Sequence, residues 1–215
     1  MAKLTREEVV QRAMSVIGEC YYQLGAADLQ QYPGGKRSDG FWHTDCSAYA
    51  GWCWGSSARM TSATFIALPN FRRVRQAGST IEECYPGITA GDALVRAAGY
   101  MGHTWGHVAI YIGNNTIVHC SGSSSLPHGC GYSKGAAVLS GDYIGYVSYD
   151  PSTSFDYDPD IEDPITKPQV PPVENGQELS PPFMNGQYDD AKAMYTLQRR
   201  YIRNYKLCKH MRHGR

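Results

Sequence analysis

Residues 107–119 read HVAIYIGNNTIVH, and this stretch decides the fold. Val108, Ile110 and Ile112 recur at the two-residue period of a strand. Gly113-Asn114-Asn115 is a turn signal, and the following Thr-Ile-Val is again strand-forming. The segment therefore predicts a β-hairpin with strands over 107–112 and 116–119. His107 opens the first strand and His119 closes the second, so the two imidazoles are expected to be cross-strand neighbours or nearly so.

Outward from the hairpin, 92–95 and 143–149 are further short strands. Upstream the period changes. Thr5, with Glu7 and Glu8 after it, has the form of a helix cap followed by acids in the first turn. Val9, Val10, Ala13, Met14 and Ile17 then recur at helical spacing, and Gly18 ends the run. Residues 46–54 form a second expected helix, stopped by Gly55. Between them, 23–44 is rich in Gly, Gln and Asp, carries Tyr-Pro-Gly-Gly at 32–35, and reads as a long loop. Helices followed by an antiparallel sheet make an α+β domain over residues 1–150.

Beyond it the composition shifts. Residues 151–187 are Pro-rich and carry seven acids against a single Lys167, the pattern of an extended linker with little to bury. Residues 188–215 carry eight Lys or Arg against two Asp, a net charge of +6. Met194, Leu197, Tyr201 and Tyr205 recur there at helical spacing, so a basic C-terminal helix is expected. Such a tail can be a solvated helix. It can also attract an anionic partner such as a wall polymer, a membrane surface or nucleic acid, or self-associate through its apolar stripe.

The first 150 residues hold 11 acids and 11 bases, and the whole chain has a formal net charge of zero, so specific nucleic-acid binding gains no support from overall charge. The amphipathic, charged start MAKLTREEVVQRAMSVIGE lacks the apolar core of a secretory signal. No window approaches ~20 apolar residues, so no transmembrane segment is expected. Seven cysteines at irregular spacing, none in a C-x-x-C pair, suggest free thiols made in a reducing cytoplasm.

One of these cysteines stands apart. HTDCSAYAGW, residues 43–52, places Cys46 between Asp45 and Ser47, where the second helix should begin. A helix N-terminus and a nearby imidazole both favour a thiolate nucleophile. His107 is the candidate base, and His119 can orient it, giving a Cys–His–His set that is a triad in role.

The blocks DCSAYAGWCW, GDALV and HVAIYIGNNTIVH resemble the NlpC/P60 family of papain-like cysteine peptidases in order, spacing and strand character over about residues 5–149. The resemblance implies a papain-like fold with N-terminal helices on a central antiparallel sheet. It casts Cys46 as nucleophile, His107 as general base and His119 as the orienting third member. Tyr22 resembles the tyrosine beside the nucleophile and would join the Cys46 backbone N–H in holding the oxyanion. Asp45 and Ser47 match residues that hold the free amine of a short cell-wall peptide, and Trp105, beside the base, would border the substrate. Ala48, Ala109 and Gly25-Ala26 depart from glycines of the family pattern by small-for-small exchange. Loops 26–44 and 96–106 are longer than that pattern.

The implied activity is cysteine-dependent hydrolysis of an amide in peptidoglycan stem peptides, between γ-D-glutamate and a diamino acid, without a cofactor. The expected partners are peptidoglycan or muropeptides. The absence of a signal fits a phage lysin or virion-associated enzyme, made in a host cytoplasm and acting after lysis, export or delivery with a particle. It also fits muropeptide recycling in the cytoplasm. Two alternatives stand beside this reading: an N-acetylmuramoyl-L-alanine amidase of CHAP type, and a non-catalytic wall-binding or assembly module.

Other residues read as structural. Cys53, two helical turns after Cys46, is expected in the core with Trp52 and Trp54. His43 and His103 read as surface histidines. Cys20, Cys84 and Cys208 carry no signal. His119, Cys120, His128 and Cys130 surround a Ser/Gly loop without zinc-like spacing, so no metal is expected.

Overall fold

The computed structural model describes residues 4–31, 35–122, 129–139 and 142–152. Residues 32–34 of the expected turn, His128, the linker beyond residue 152 and the basic tail lie outside the described residues.

The described helices are α1 (Arg6–Ser15), α2 (Cys46–Cys53), α3 (Ser62–Ile66), α4 (Ile81–Cys84) and α5 (Ala136–Leu139). The strands are β1 (Cys20–Tyr22), β2 (Trp42–Thr44), β3 (Phe71–Arg72), β4 (Ala93–Arg96), β5 (His107–Gly113), β6 (Thr116–Cys120), β7 (Cys130–Lys134) and β8 (Gly145–Val147). The order β3-β8-β4-β5-β6-β7 forms one antiparallel six-stranded sheet. Strands β1 and β2 pair in parallel as a separate ribbon. The fold is α+β, with helices packed on a central antiparallel sheet, as the sequence predicts.

The hairpin forms where expected. Gly113 pairs with Thr116, and Asn114 and Asn115 between them both have positive φ, the backbone of a two-residue type I′ turn. Strand β5 is buried on both faces. Val108 and Ile110 join the core under α1 and α2, which also holds Val9, Ala13, Tyr49 and Trp52. Ala109 and Tyr111 join a second core with Ile81, Tyr85 and Val138 from α4 and α5.

Local chemistry fixes the helix starts. Thr5 Oγ1 accepts from Glu8 N, and the Glu8 carboxylate accepts from Thr5 N at 2.7 Å, a reciprocal cap on α1. Every residue of α2 is buried, and its small residues allow this: a side chain at Gly51 would meet Met60 at 3.0 Å.

Asp92, fully buried, ties α1 to the segment after β8. Its Oδ1 accepts from Arg6 at 2.5 Å and from Tyr149 N at 2.8 Å, while Oδ2 accepts from Thr89 N. The Gly-Asp block thus holds α1 against the end of the domain.

Three expectations need correction. The 23–44 segment, read as a long loop, contains among its described residues a 3₁₀ turn (Asp28–Gln31) and β2. Arg37 forks the Asp28 carboxylate at 2.7 and 2.9 Å, and Asp28 also accepts from His43 N. The Ser/Gly stretch after His119 runs into a strand, β7, whose CGYSK sequence lacks the apolar alternation by which a strand is recognised. The strand expected over 143–149 is confined to Gly145–Val147, because Tyr143 and Ile144 precede its ladder with β4.

Candidate active site

The parallel β1–β2 ribbon builds one wall of the site. Its register sets Tyr22 beside Thr44, so the chain runs from β2 straight into Asp45 and Cys46 with Tyr22 alongside. Gln23 N donates to Thr44 O at 3.0 Å, and Asp45 N to Ala26 O at 3.1 Å. Tyr22 is also wedged from below. Gly129 has φ +90, and a Cβ there would fall within 2.6 Å of the Tyr22 backbone N, so only glycine fits.

Cys46 is the first residue of α2 and is 7% exposed. Burial pushes its thiol up to about 11, opposed by backbone hydrogen bonds from Val108 and Ser47 and aided by the charges of Asp45 and Cys120. The Val108 contact is the structural link: it brings the thiol to the residue next to His107. Among the described residues none accepts from the Cys46 backbone N–H, which leaves that donor for a substrate oxygen.

The register Ile110↔Val118 places Ala109 opposite His119 and His107 two residues along on the same face. The two imidazoles are thus diagonal neighbours. His107 Nε2 lies 2.7 Å from His119 Nδ1, with the rings at 83°. His119 Nε2 lies 2.9 Å from Ser133 Oγ on β7. With Nε2 engaged, Nδ1 is the nitrogen through which His107 can act as a base.

Burial, then the His119 ring, then the Arg96 charge hold His107 well below its ordinary value. Burial and Arg96 hold His119 down, to about 4. Arg96 is the register partner of His107 on β4. Both imidazoles are therefore neutral near pH 7, and so is the thiol. The shifts thus favour an uncharged thiol–imidazole arrangement over a thiolate–imidazolium pair.

Tyr22 senses the same group of side chains. Burial raises its hydroxyl to about 12, with Cys46, Asp45 and Cys120 adding to the rise, so it is a neutral donor near the thiol. Buried Tyr143, its ring 6.1 Å from His107, is raised by burial and also feels Cys46.

Asp45 and Ser47 are buried and engaged with groups of this chain. Asp45, 2% exposed, caps α2: its Oδ1 accepts from Ala48 N at 2.8 Å, Ser47 N at 3.1 Å and Ser47 Oγ at 3.0 Å. Its Oδ2 accepts from Gly25 N at 3.0 Å and pairs with Arg59. Both carboxylate oxygens are already occupied by groups of this chain. Trp105 is 64% exposed on the loop before β5, and among the described residues no ring contact joins it to His107 or His119.

Sequence reading missed Arg59, Arg96, Tyr143 and Ser133. Arg96 could have been found from the strand order, since it ends the strand next to His107. Ser133 could not, because β7 itself carried no signal.

Among the described residues no group of His, Cys, Asp and Glu is arranged to hold a metal ion, and no helix is long and apolar enough to cross a membrane. Cys20, Cys53, Cys84, Cys120 and Cys130 are free and buried. Burial drives Cys53 far above its ordinary value, as befits a core thiol two turns from the site.

No family model matches the sequence, and no curated protein does. Solved structures do. NlpC1 from Trichomonas vaginalis is 17% identical, with a TM-score of 0.43 over 67% of this chain and 44% of that one. A lipoprotein-like NLP/P60 protein from Staphylococcus aureus is 19% identical, with a TM-score of 0.40 over 69% and 43%. The P60 domain of an antigen from M. avium subspecies paratuberculosis is 20% identical, with a TM-score of 0.37 over 60% and 84%. All three are NlpC/P60 proteins. They are the family that the Asp-Cys-Ser, Gly-Asp and His-Val blocks resemble. The chain spans less than half the length of the first two.

Proposed function

We propose that this chain is a cysteine hydrolase of the NlpC/P60 type that cleaves an amide in peptidoglycan stem peptides, at the γ-D-glutamyl-diamino acid bond. The observation that carries the reading is the hydrogen-bonded pair His107 Nε2–His119 Nδ1, standing next to the Val108 backbone that meets the Cys46 thiol.

The chemistry runs from neutral partners. As Cys46 Sγ attacks the amide carbon, its proton passes to His107 Nδ1. The N-terminus of α2, the Cys46 N–H and the Tyr22 hydroxyl face the charge that develops on the carbonyl oxygen. The carbon–nitrogen bond then breaks, and His107 returns its proton to the leaving amine. Water attacks the resulting thioester with His107 again taking the proton, and the thiol is released. His119 holds the imidazolium that forms in each half-reaction.

The setting completes the proposal. The acidic linker and the +6 tail suit a wall-active lysin, phage-derived or virion-associated, whose appendage is drawn to anionic wall polymer. Such an enzyme is made in the cytoplasm and reaches the wall after lysis, export or delivery with a particle.

The test is digestion of purified peptidoglycan from several bacteria followed by mass spectrometry. Split stem peptides, absent with Cys46→Ala, are the expected result. Intact stems freed from glycan would mean an amidase. No fragment from any wall, with Cys46 alkylated no faster than the other thiols, would make this a non-catalytic module.

A further inference from the structure

The hydrogen-bonded line does not end at His119. Its Nε2 meets Ser133 Oγ at 2.9 Å, and Ser133 stands on β7, two positions from the register partner of His119. Each ring nitrogen along this line must be either donor or acceptor, so one assignment fixes all the others.

Two polarities exist. In the first, His107 Nε2–H donates to His119 Nδ1, His119 Nε2–H donates to Ser133 Oγ, and His107 Nδ1 keeps its lone pair. In the second, every bond reverses: Ser133 donates, His119 Nδ1–H donates to His107, and His107 Nδ1 carries a proton. Only the first leaves His107 able to take a proton from a thiol. For Cys46 to act as a nucleophile its thiol needs an acceptor for the proton. The first polarity supplies one, and the second sets donor against donor.

We propose that Ser133 is a positioning residue for this site: it accepts from His119 Nε2–H and so holds both imidazoles in the tautomers in which His107 Nδ1 is free to act as a base. The inference deepens the hydrolase reading above and rests on it for its kinetic consequence. Ser133 is partly buried, so its own hydroxyl proton can point to solvent while its oxygen accepts. Removing the hydroxyl leaves His119 Nε2–H without its acceptor and lets the line relax toward the unproductive polarity.

The test has two arms on the full chain. Nitrogen-15 NMR of the imidazoles near pH 7 is expected to show His119 protonated at Nε2 and unprotonated at Nδ1, with a tautomer mixture in Ser133→Ala. Kinetics on a defined stem peptide are expected to show kcat about tenfold lower in Ser133→Ala with KM little changed. Ser133→Thr keeps a hydroxyl on a strand position and is expected to restore most of the rate. A wild-type His119 protonated at Nδ1 overturns the proposal, whether or not any variant folds. So does a Ser133→Ala protein with unchanged kcat and tautomers, or a folded Ser133→Thr that fails to rescue. If the wild-type chain cleaves no wall substrate, the hydrolase reading fails alone, and the NMR arm still decides the tautomers.

Discussion

His107 Nε2 and His119 Nδ1 lie 2.7 Å apart on neighbouring strands, the rings nearly perpendicular. The bond uses one nitrogen of His107 and leaves the other for the proposed proton transfer from Cys46. His107→Ala is therefore expected to lower kcat/KM by roughly 10²–10⁴, the range of a general base. His119→Ala should cost on the order of tenfold to a hundredfold, the loss of one hydrogen bond to a group that becomes charged. His119→Asn, which keeps an acceptor, should lose less. Steady-state kinetics on a stem peptide checks the order of the three, and an unimpaired His119→Ala would remove His119 from the mechanism.

The charge state of the thiol gives a second prediction. Burial sets Cys46 at about 11, and His107 is held well below its ordinary value, so neither is charged at pH 7. The alkylation rate of Cys46 by iodoacetamide should climb steadily with pH and keep climbing beyond pH 9. A plateau reached already near pH 6 would mean that the helix N-terminus and the imidazole stabilise a thiolate in the resting protein.

Stability should carry the mark of His119. In the folded chain it titrates at about 4, whereas an unfolded chain binds that proton near 6.5. Between these values the unfolded state holds more protons, so stability is full above pH 6.5 and is lost as pH falls toward 4. The shift corresponds to a loss of up to about 3 kcal/mol. Denaturant melts between pH 7 and pH 4 should show this slope, and His119→Gln should make it shallower, the remainder coming from His107, which burial also holds low. Equal slopes in the two proteins would show that His119 titrates normally.

Asp45 separates two meanings of the Asp-Cys-Ser block. The structure makes it the cap of α2 and the partner of Arg59. Asp45→Ala is then expected to destabilise the protein by about 1–3 kcal/mol, because a cap and a half-buried ion pair are lost together. Asp45→Asn keeps the cap and should cost less. If Asp45→Ala melts as the wild type does but raises KM for peptides with a free amino terminus, Asp45 holds substrate instead.

What the sequence made legible follows from the range of each signal. The 107–119 hairpin was readable because alternation and an Asn-Asn turn are local, and the pairing of His107 with His119 followed from that one turn. The cap at Thr5 and the start of α2 were equally local. The ribbon of Cys20–Tyr22 with Trp42–Thr44 was not, since parallel pairing across twenty residues leaves no periodic trace. Strand β7 was hidden for another reason: its Cys, Gly and Ser are buried or paired by the sheet's register rather than by their own apolarity. The inward turn of Asp45 depended on Arg59, whose approach is tertiary and has no spacing rule.

Gly106 supplies the last prediction, because it sets where β5 begins. A Cβ at this position would collide with the Ser62 side chain on α3 and stand 3.0 Å from the Arg96 carbonyl. The Arg96 backbone belongs to the strand paired with His107, so it cannot give way without moving the base. Gly106→Ala should therefore push the start of β5 outward and lower kcat, with a smaller effect on melting temperature than a core truncation. Removing the Ser62 side chain removes most of the collision but not the carbonyl contact. The double variant Gly106→Ala, Ser62→Gly should then recover part of the lost rate, a non-additivity expected of residues in direct contact. A double variant no faster than Gly106→Ala would place the strain against the Arg96 backbone alone. A fully active Gly106→Ala would show that the strand start tolerates displacement and that the 2.7 Å imidazole bond is not set by it.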